Sequence, residues 1–319
     1  MTKQTLVSKV DFINQDASHK EMQMFGFIKR DTTPYKLNID NNLEKSIINI
    51  IAFGVKSNIA EADYSIVDLS TADNRKNRYY KYDLGNIPEG LKSMEDVIGN
   101  DDADFYDSNN HKISDLDHLI MVLSNGNDKV FSIYKQLSSV EKITKTTNSL
   151  LAKIGVGRDK IIEEDKPLFR IGPSFQAIWV DNNYIILNDK FLELNFKMLD
   201  ILKNEAKANM RTIERTNLLL KPENLKKYME TTAFSRKLVR VMKNSLIIKN
   251  QVPKTDVISF IENDIELKKK LKIEEKEGEK FISITKKESA VIFLDLLNDE
   301  FVYSALTKQN YKASDKDLR

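Results

Sequence analysis

The sequence contains no cysteine among its 319 residues, which excludes a disulfide framework, thiolate metal sites and cysteine nucleophiles. Histidine occurs three times, so little material is present for a zinc or di-iron centre. No run approaches the roughly 18 apolar residues that a membrane-spanning helix requires. The N-terminus also lacks the apolar core and cleavage site of a signal peptide. We therefore expect a cytoplasmic protein that does not itself cross a membrane.

Hydrophobic residues make up 41% of the chain and charged residues 31%, which suffices for a sizeable core and excludes wholesale disorder. The net charge of +2 conceals an asymmetry along the chain. The balance is −5 over residues 1–110, zero over residues 111–200 and +7 over residues 201–319. An acidic N-terminal part and a basic C-terminal part indicate different binding partners, and nucleic acid is a candidate partner for the C-terminal part. Charges that merely hydrate the surface are the competing explanation.

The order of the predicted elements, strands first and helices later, indicates an α+β protein. Turn residues predict hairpins at Asn125-Gly126-Asn127-Asp128 and Asp181-Asn182-Asn183, and Asp40 is placed to cap a helix. Strands are predicted at 22–29, 35–39, 63–69, 78–84, 118–124, 129–135 and 281–285. Helices are predicted at 137–154, over most of 190–250, and at 255–271 and 286–297.

We place a domain boundary near residue 160, at the glycines 155 and 157 and the charged run that follows. Residues 1–160 then form an N-terminal α+β domain, which we assign to self-association or partner docking because its acidic character repels phosphate. Residues 161–319 form a C-terminal domain with a β-hairpin and many helices, which we assign to DNA binding.

Several familiar site patterns fail on inspection. The two glycines near the boundary lack the third glycine of a dinucleotide fingerprint and the Gly-Lys-Ser/Thr of a phosphate loop, so a linker is favoured. The acidic stretch 101–107 lacks the glycine and glutamate of a calcium hand. His111 and His118 with Asp115 could share a helix face, but a loop and a strand are predicted there. Phe175 and Trp179 share a strand face and indicate core packing more than base stacking.

A basic segment between residues 221 and 249 carries the most informative pattern. It holds eight cations against two carboxylates, and no Asp or Glu occurs between residues 231 and 249. Within the predicted helix 233–246, several cations follow i, i+4, i+7 spacing opposite an apolar face. The residues that we predict to contact DNA are Lys226, Lys227, Arg236, Lys237, Arg240 and Lys243. A phosphate backbone would relieve the repulsion along this stripe, and no base-reading motif is present, so binding should be independent of sequence.

Two alternatives stay open for this segment and for the activity. The basic helix could dock on the acidic N-terminal half or simply lie exposed to solvent. A metal-dependent nuclease would need a carboxylate with a nearby Glu-x-Lys, for which Glu164 and Glu274 are the candidate metal ligands. Both sit in charge-rich stretches that favour a surface position, so a protein without catalytic activity, catalytic residues or cofactors is the preferred hypothesis.

Three runs of the sequence resemble a known bacterial family. They are LFRIGPSFQAIWVDNNYIILNDKFLELNF at 168–196, SRKLVRVMKNS at 235–245 and FVYSALTKQNYKASDK at 301–316. The family is that of the B subunit of the Kiwa anti-phage defence system, and the resemblance covers mainly residues 165–319. The N-terminal half matches in size and character but contributes no motif.

The resemblance implies an antiviral defence effector that binds double-stranded DNA without strong sequence preference. It also implies a small membrane-embedded partner, the Kiwa A subunit, which would hold the chain at the inner face of the membrane. Self-association, most simply as a homodimer, is expected. The resemblance further implies that the protein blocks replication or expression of phage DNA by coating the DNA without cutting it.

Overall fold

The structure is a computed structural model that describes residues 1–15, 20–71, 77–126, 129–139, 141–143, 151–154, 161–164, 168–303 and 310–312. It contains two compact units. The first comprises Met1–Asp83 and Ile87–Phe196, and the second comprises Leu84–Asn86 and Lys197–Arg319. Helices and strands occur in both, which confirms the predicted α+β class. No helix in the described ranges has the length and apolar content needed to cross a bilayer.

The first unit is organised by a mixed sheet of eight strands. The described strands of the first unit, eight of which form this sheet, are β1 (Glu21–Ile28), β2 (Tyr35–Lys36), β3 (Ser65–Asp68), β4 (Arg78–Lys81), β5 (Leu116–Ser124), β6 (Val130–Gln136), β7 (Lys142–Ile143), β8 (Leu151–Ile154), β9 (Ile161–Glu164), β10 (Leu168–Phe169), β11 (Ala177–Val180) and β12 (Asn183–Ile186). The order in the sheet is β2-β1-β5-β6-β11-β12-β4-β3, and only the β3–β4 pair is parallel. The four remaining strands form the pairs β7–β10 and β8–β9.

Local sequence explains the hairpins of this sheet. Asp181 and Asn182 both have positive φ, 48° and 58°, which is the backbone of a two-residue turn matched to the twist of the strands. The turn brings β11 and β12 into register, as predicted, although Asn183, which was predicted to lie in the turn, pairs with Val180. The predicted hairpin at Asn125-Gly126 is likewise present, since β5 and β6 pair from His118 to Ser124.

Among the described residues, four α-helices accompany the sheet, α1 (Lys3–Val10), α2 (Asn41–Val55), α3 (Glu89–Asp96) and α4 (Asp189–Phe196). Asp40 caps α2 as predicted, because its carboxylate accepts hydrogen bonds of 2.9 Å from the backbone N–H groups of Asn42 and Leu43. The buried face of α2 joins α1 and the central strands in one apolar cluster. This burial holds α2 on the sheet.

One prediction about the first unit is wrong. The helix predicted at 137–154 is replaced, over its described residues, by β7 and β8. These strands find partners in β10 and β9, and this pairing overrides a helical pattern already weakened by β-branched residues. The first unit extends to Phe196, because β11 and β12 lie in its sheet between β6 and β4, whereas the division near residue 160 into two functional domains stays a prediction. The glycines 155 and 157 lie outside the described residues.

The second unit is mainly helical. Its helices are α5 (Met198–Arg215), the 3₁₀ helix Pro222–Tyr228, α6 (Thr232–Asn244), α7 (Leu246–Lys249), α8 (Lys254–Asn263), α9 (Ile265–Lys270) and α10 (Lys287–Leu297). Its strands are β13 (Lys272–Lys276), β14 (Glu279–Ser283), β15 (Phe301–Tyr303) and β16 (Asn310–Lys312), which pair as two hairpins. Phe234, Leu238 and Val241 of α6 are buried, as the predicted apolar face requires.

Candidate nucleic-acid interface

The cations of α6 are partly neutralised by carboxylates from a distant part of the sequence. Lys237 forms an ion pair with Asp295 of α10. A guanidinium nitrogen of Arg240 lies 3.2 Å from Oε1 of Glu300. Asp295 and Glu300 are 1% and 2% exposed, so these carboxylates need their partners inside the fold. The expectation that the whole stripe lacks carboxylate partners is therefore wrong for Lys237 and Arg240.

Arg236 and Lys243 complete the α6 stripe, and both are half-buried. The guanidinium of Arg236 makes no ion pair within the described residues, which leaves its charge available to a partner. The stripe thus has mixed roles. Two of its cations stabilise the second unit, and Arg236 has a surface charge that the described part of the fold does not use.

The other two predicted residues lie on the 3₁₀ helix Pro222–Tyr228. Lys226 and Lys227 are both exposed. The ammonium of Lys226 lies 3.7 Å from Oε1 of Glu214, a loose contact between exposed groups that contributes little. Lys227 lies over the ring of Tyr228, with 5.0 Å between its Nζ and the ring centroid. Both ammonium groups can therefore reach an anion in solvent.

A second basic row lies on α5 and was missed by sequence reasoning. Its members follow strict i+4 spacing and are Lys203, Lys207, Arg211 and Arg215. Lys207, Arg211 and Arg215 are exposed and make no ion pair within the described ranges. The i+4 spacing was the signal that could have identified them, because it puts side chains on neighbouring turns of one helix face.

The α5 row and the 3₁₀ helix border one groove of about 420 Å³. Lys207 and Arg211 line it from α5, and Lys226 lines it from the 3₁₀ helix. Glu230 also lines the groove, but its carboxylate accepts a hydrogen bond of 2.8 Å from Lys203. This hydrogen bond lowers the pKa of Glu230, so the carboxylate stays ionised and paired.

We call the set Lys203, Lys207, Arg211, Arg215, Lys226 and Lys227 the α5 basic surface. Its six cations face two carboxylates in the groove, Glu214 and Glu230, so the surface keeps a positive charge. The i+4 step along a helix corresponds to about 6 Å, so the α5 row offers cations at regular short intervals. This arrangement suits a polyanion.

The residues suggested for a nuclease do not gather into a site in the part of the chain that is described. Glu274 lies on β13 and its carboxylate is 2.9 Å from the ammonium of Lys272. A hydrogen bond from Lys272 lowers the pKa of Glu274. Glu164 lies on β9, and the Asp165-Lys166 that follows it lies outside the described residues. Among the described residues, no three His, Cys, Asp or Glu side chains are close enough to hold one metal ion.

The two histidines considered for a metal occupy different environments in the first unit. His118 lies on β5, stacked between Phe27 and Tyr134 with ring centroids 4.6 and 4.4 Å away. Burial lowers the pKa of His118, which keeps the ring neutral although its Nδ1 lies 3.0 Å from Asp117. His111 lies in the preceding loop, so the two histidines do not share a helix face. His118 is therefore packed as part of the core.

The sequence of the chain is similar to sequences of known proteins. The family model described as Kiwa protein KwaB-like matches residues 113–307. A curated relative, the Kiwa protein KwaB of Escherichia coli O55:H7 (strain RM12579 / EPEC), is 25% identical over 293 residues, covering 90% of this chain and 91% of the relative. No solved structure matches the chain significantly. Since the model covers more than half of the sequence and agrees with the resemblance seen at 168–196, the chain belongs to the Kiwa protein KwaB-like family.

Proposed function

We propose that this member of an antiviral defence family binds double-stranded DNA without strong sequence preference, mainly through the α5 basic surface. The observation that carries the proposal is the row Lys207, Arg211 and Arg215, three exposed cations without ion pairs in the described residues. Lys207 and Arg211 line one groove with the exposed Lys226, and the next residue, Lys227, is exposed as well. On α6, Arg236 extends the contact, whereas Lys237 and Arg240 are held by Asp295 and Glu300.

The physical basis is neutralisation of phosphates and release of the counterions around DNA. Contacts to phosphate position a protein on the duplex but carry no base information. The cations of α5 lie along one side of a helix whose other side is buried through Leu202, Met210 and Ile213. The surface can therefore follow the phosphate backbone of a DNA duplex. We propose that the protein coats phage DNA and so blocks its replication or expression, without cutting it.

Neutralising the three unpaired cations of the α5 row is expected to weaken DNA binding on the order of 100-fold at low salt. The variant changes Lys207, Arg211 and Arg215 to glutamine, which removes three charges while preserving helix propensity. The measurement is fluorescence anisotropy with two duplexes of unrelated sequence. Both should lose affinity equally, since phosphate contacts do not distinguish bases.

A matched control removes the same number of charges elsewhere. Lys45, Lys92 and Lys190 are exposed cations of the first unit, and their replacement by glutamine should leave the affinity within about twofold of the wild type. Equal losses in the two triple variants would show that net charge alone governs binding and would contradict the proposed surface. Incubation of plasmid with the protein and Mg²⁺ tests the nuclease alternative, which fragments would support and intact, retarded plasmid would not.

We propose in addition that the chain self-associates as a dimer and works with the membrane-embedded A subunit of the Kiwa system. Its support is family membership, together with the acidic balance of −5 over residues 1–110, which disfavours contact with phosphate and leaves this part for protein partners. Light scattering should give twice the chain mass of 36.8 kDa. Fractionated cells should hold the chain in the membrane pellet only when the A subunit is coexpressed. A monomer, or a pellet independent of the A subunit, would contradict this proposal.

A further inference from the structure

The segment from Phe169 to Gln176 has apolar residues on the core and other residues on a cavity. Phe169, Ile171 and Phe175 pack against the apolar core. A cavity of about 480 Å³ is lined from this segment by Arg170, Gly172, Pro173, Ser174 and Gln176. Arg170, Pro173 and Ser174 are exposed, so the cavity is open to solvent. Its size lies within the ordinary range of small-molecule sites.

The opposite wall comes from the end of β6 and the turn after it, through Gln136, Ser138 and Glu141. Hydrogen bonds tie the two walls together at both ends. The Arg170 N–H donates to the Glu141 carbonyl at 2.9 Å, and the Gln136 N–H donates to Oε1 of Gln176 at 2.8 Å. These links fix the distance between the walls, so the cavity is a feature of the fold.

A buried lysine forms an ion pair with one residue that lines the cavity and a hydrogen bond with another. Lys135 is 0% exposed, and its ammonium lies 2.7 Å from Oε1 of Glu141 and 2.9 Å from the Ser174 carbonyl oxygen. Although burial raises the pKa of Glu141, hydrogen bonds from Lys135 and Ser138 outweigh it, and the net pKa is lowered. The carboxylate is therefore ionised and matched by Lys135, which leaves the cavity with the positive charge of Arg170.

Three side chains of the lining have donors that are not used. Within the described residues, the Arg170 guanidinium, the Ser174 hydroxyl and the Gln176 amide NH₂ make no hydrogen bond. Oε2 of Glu141 is already occupied, since it accepts both from the Ser138 N–H and from the Ser138 hydroxyl at 2.8 Å. Three donors from different positions suit an anion with at least three oxygens, and the guanidinium fork matches a phosphate.

We propose that this cavity binds the phosphoryl group of a small phosphorylated molecule of about nucleotide size. The donor set exceeds what the two oxygens of a carboxylate require, and the volume exceeds what phosphate alone would fill. Arg170, Ser174 and Gln176 hold the phosphoryl oxygens, and the rest of the cavity accommodates the remainder of the ligand. This site is separate from the α5 basic surface and does not depend on DNA binding.

Isothermal titration of the full chain with deoxyadenosine monophosphate and with deoxyadenosine tests the proposal. Only the phosphorylated probe should bind. Gln176→Glu should weaken its binding at least about tenfold, because the new carboxylate still accepts from Gln136 but repels phosphate. Arg170→Ala should do the same through loss of the charged donor.

The triple glutamine variant of α5 serves as the matched control. This variant should keep its affinity for the monophosphate while its affinity for DNA falls. Arg170→Ala should keep its affinity for DNA while its affinity for the monophosphate falls. Failure of the proposed function and failure of this inference are therefore distinguishable. Equal binding of both probes, no binding of either, or wild-type affinity in both Gln176→Glu and Arg170→Ala would overturn the proposal.

Discussion

Arg240→Glu is expected to destabilise the second unit by about 3–5 kcal/mol, because it removes a charged partner of a buried carboxylate and places a second negative group beside it. The partner is Glu300, which is 2% exposed, and its Oε1 also accepts a hydrogen bond of 2.9 Å from the Asn298 amide. Urea unfolding followed by circular dichroism measures the loss.

Arg236→Glu is the matched control on the same helix. Arg236 is half-buried and makes no ion pair within the described residues, so its reversal should change stability by about 0.5 kcal/mol or less. The two variants differ in the ion pair that Arg240 makes with Glu300. Comparable stability losses in the two single variants would contradict the assigned role of Arg240.

Lys135→Met is expected to cost the first unit about 3–5 kcal/mol. Lys135 is 0% exposed within β6, and its removal leaves the carboxylate of Glu141, whose side chain is 16% exposed, without a charged partner. The substitution also removes the hydrogen bond to the Ser174 carbonyl, measured at 2.9 Å. Denaturant unfolding followed by Trp179 fluorescence reports the change, since this tryptophan lies in the same unit.

A double variant separates the electrostatic cause from altered packing. Adding Glu141→Gln to Lys135→Met removes the unmatched charge while keeping an oxygen that can accept from the Ser138 N–H. It should recover more than half of the lost stability. A single variant as stable as the wild type, or a double variant no better than the single, would contradict the account of this buried pair.

Local chemistry was sufficient to predict much of the fold. The cap at Asp40 and the turns at Asn125-Gly126 and Asp181-Asn182 depend on short-range hydrogen bonds and backbone preferences, which neighbouring residues determine. The order of the sheet could not be predicted in this way. The pairs β6–β11 and β12–β4 join segments that are distant in sequence, and their choice depends on tertiary packing.

The charges of the candidate surface likewise include features that neighbouring residues determine and features that depend on the tertiary fold. The stripe on α6 is visible in its own spacing, but its counter-charges Asp295 and Glu300 are 58 and 60 residues from the cations they bind. Helix periodicity carries no information about such pairs. The row on α5 was present in the sequence, but Asp200, Glu205 and Glu214 on the same helix conceal it in a charge count. Its significance depends on which of these groups have partners.

The salt dependence of DNA binding tests the central claim most directly. Affinities of the wild-type chain and of the Lys207→Gln, Arg211→Gln, Arg215→Gln variant are measured on one duplex over a series of NaCl concentrations. Each lost phosphate contact should flatten the plot of log affinity against log salt by about 0.9, so the variant slope should be shallower by about 2.7. Parallel lines for the two proteins would contradict the claim that the α5 basic surface contacts the phosphates.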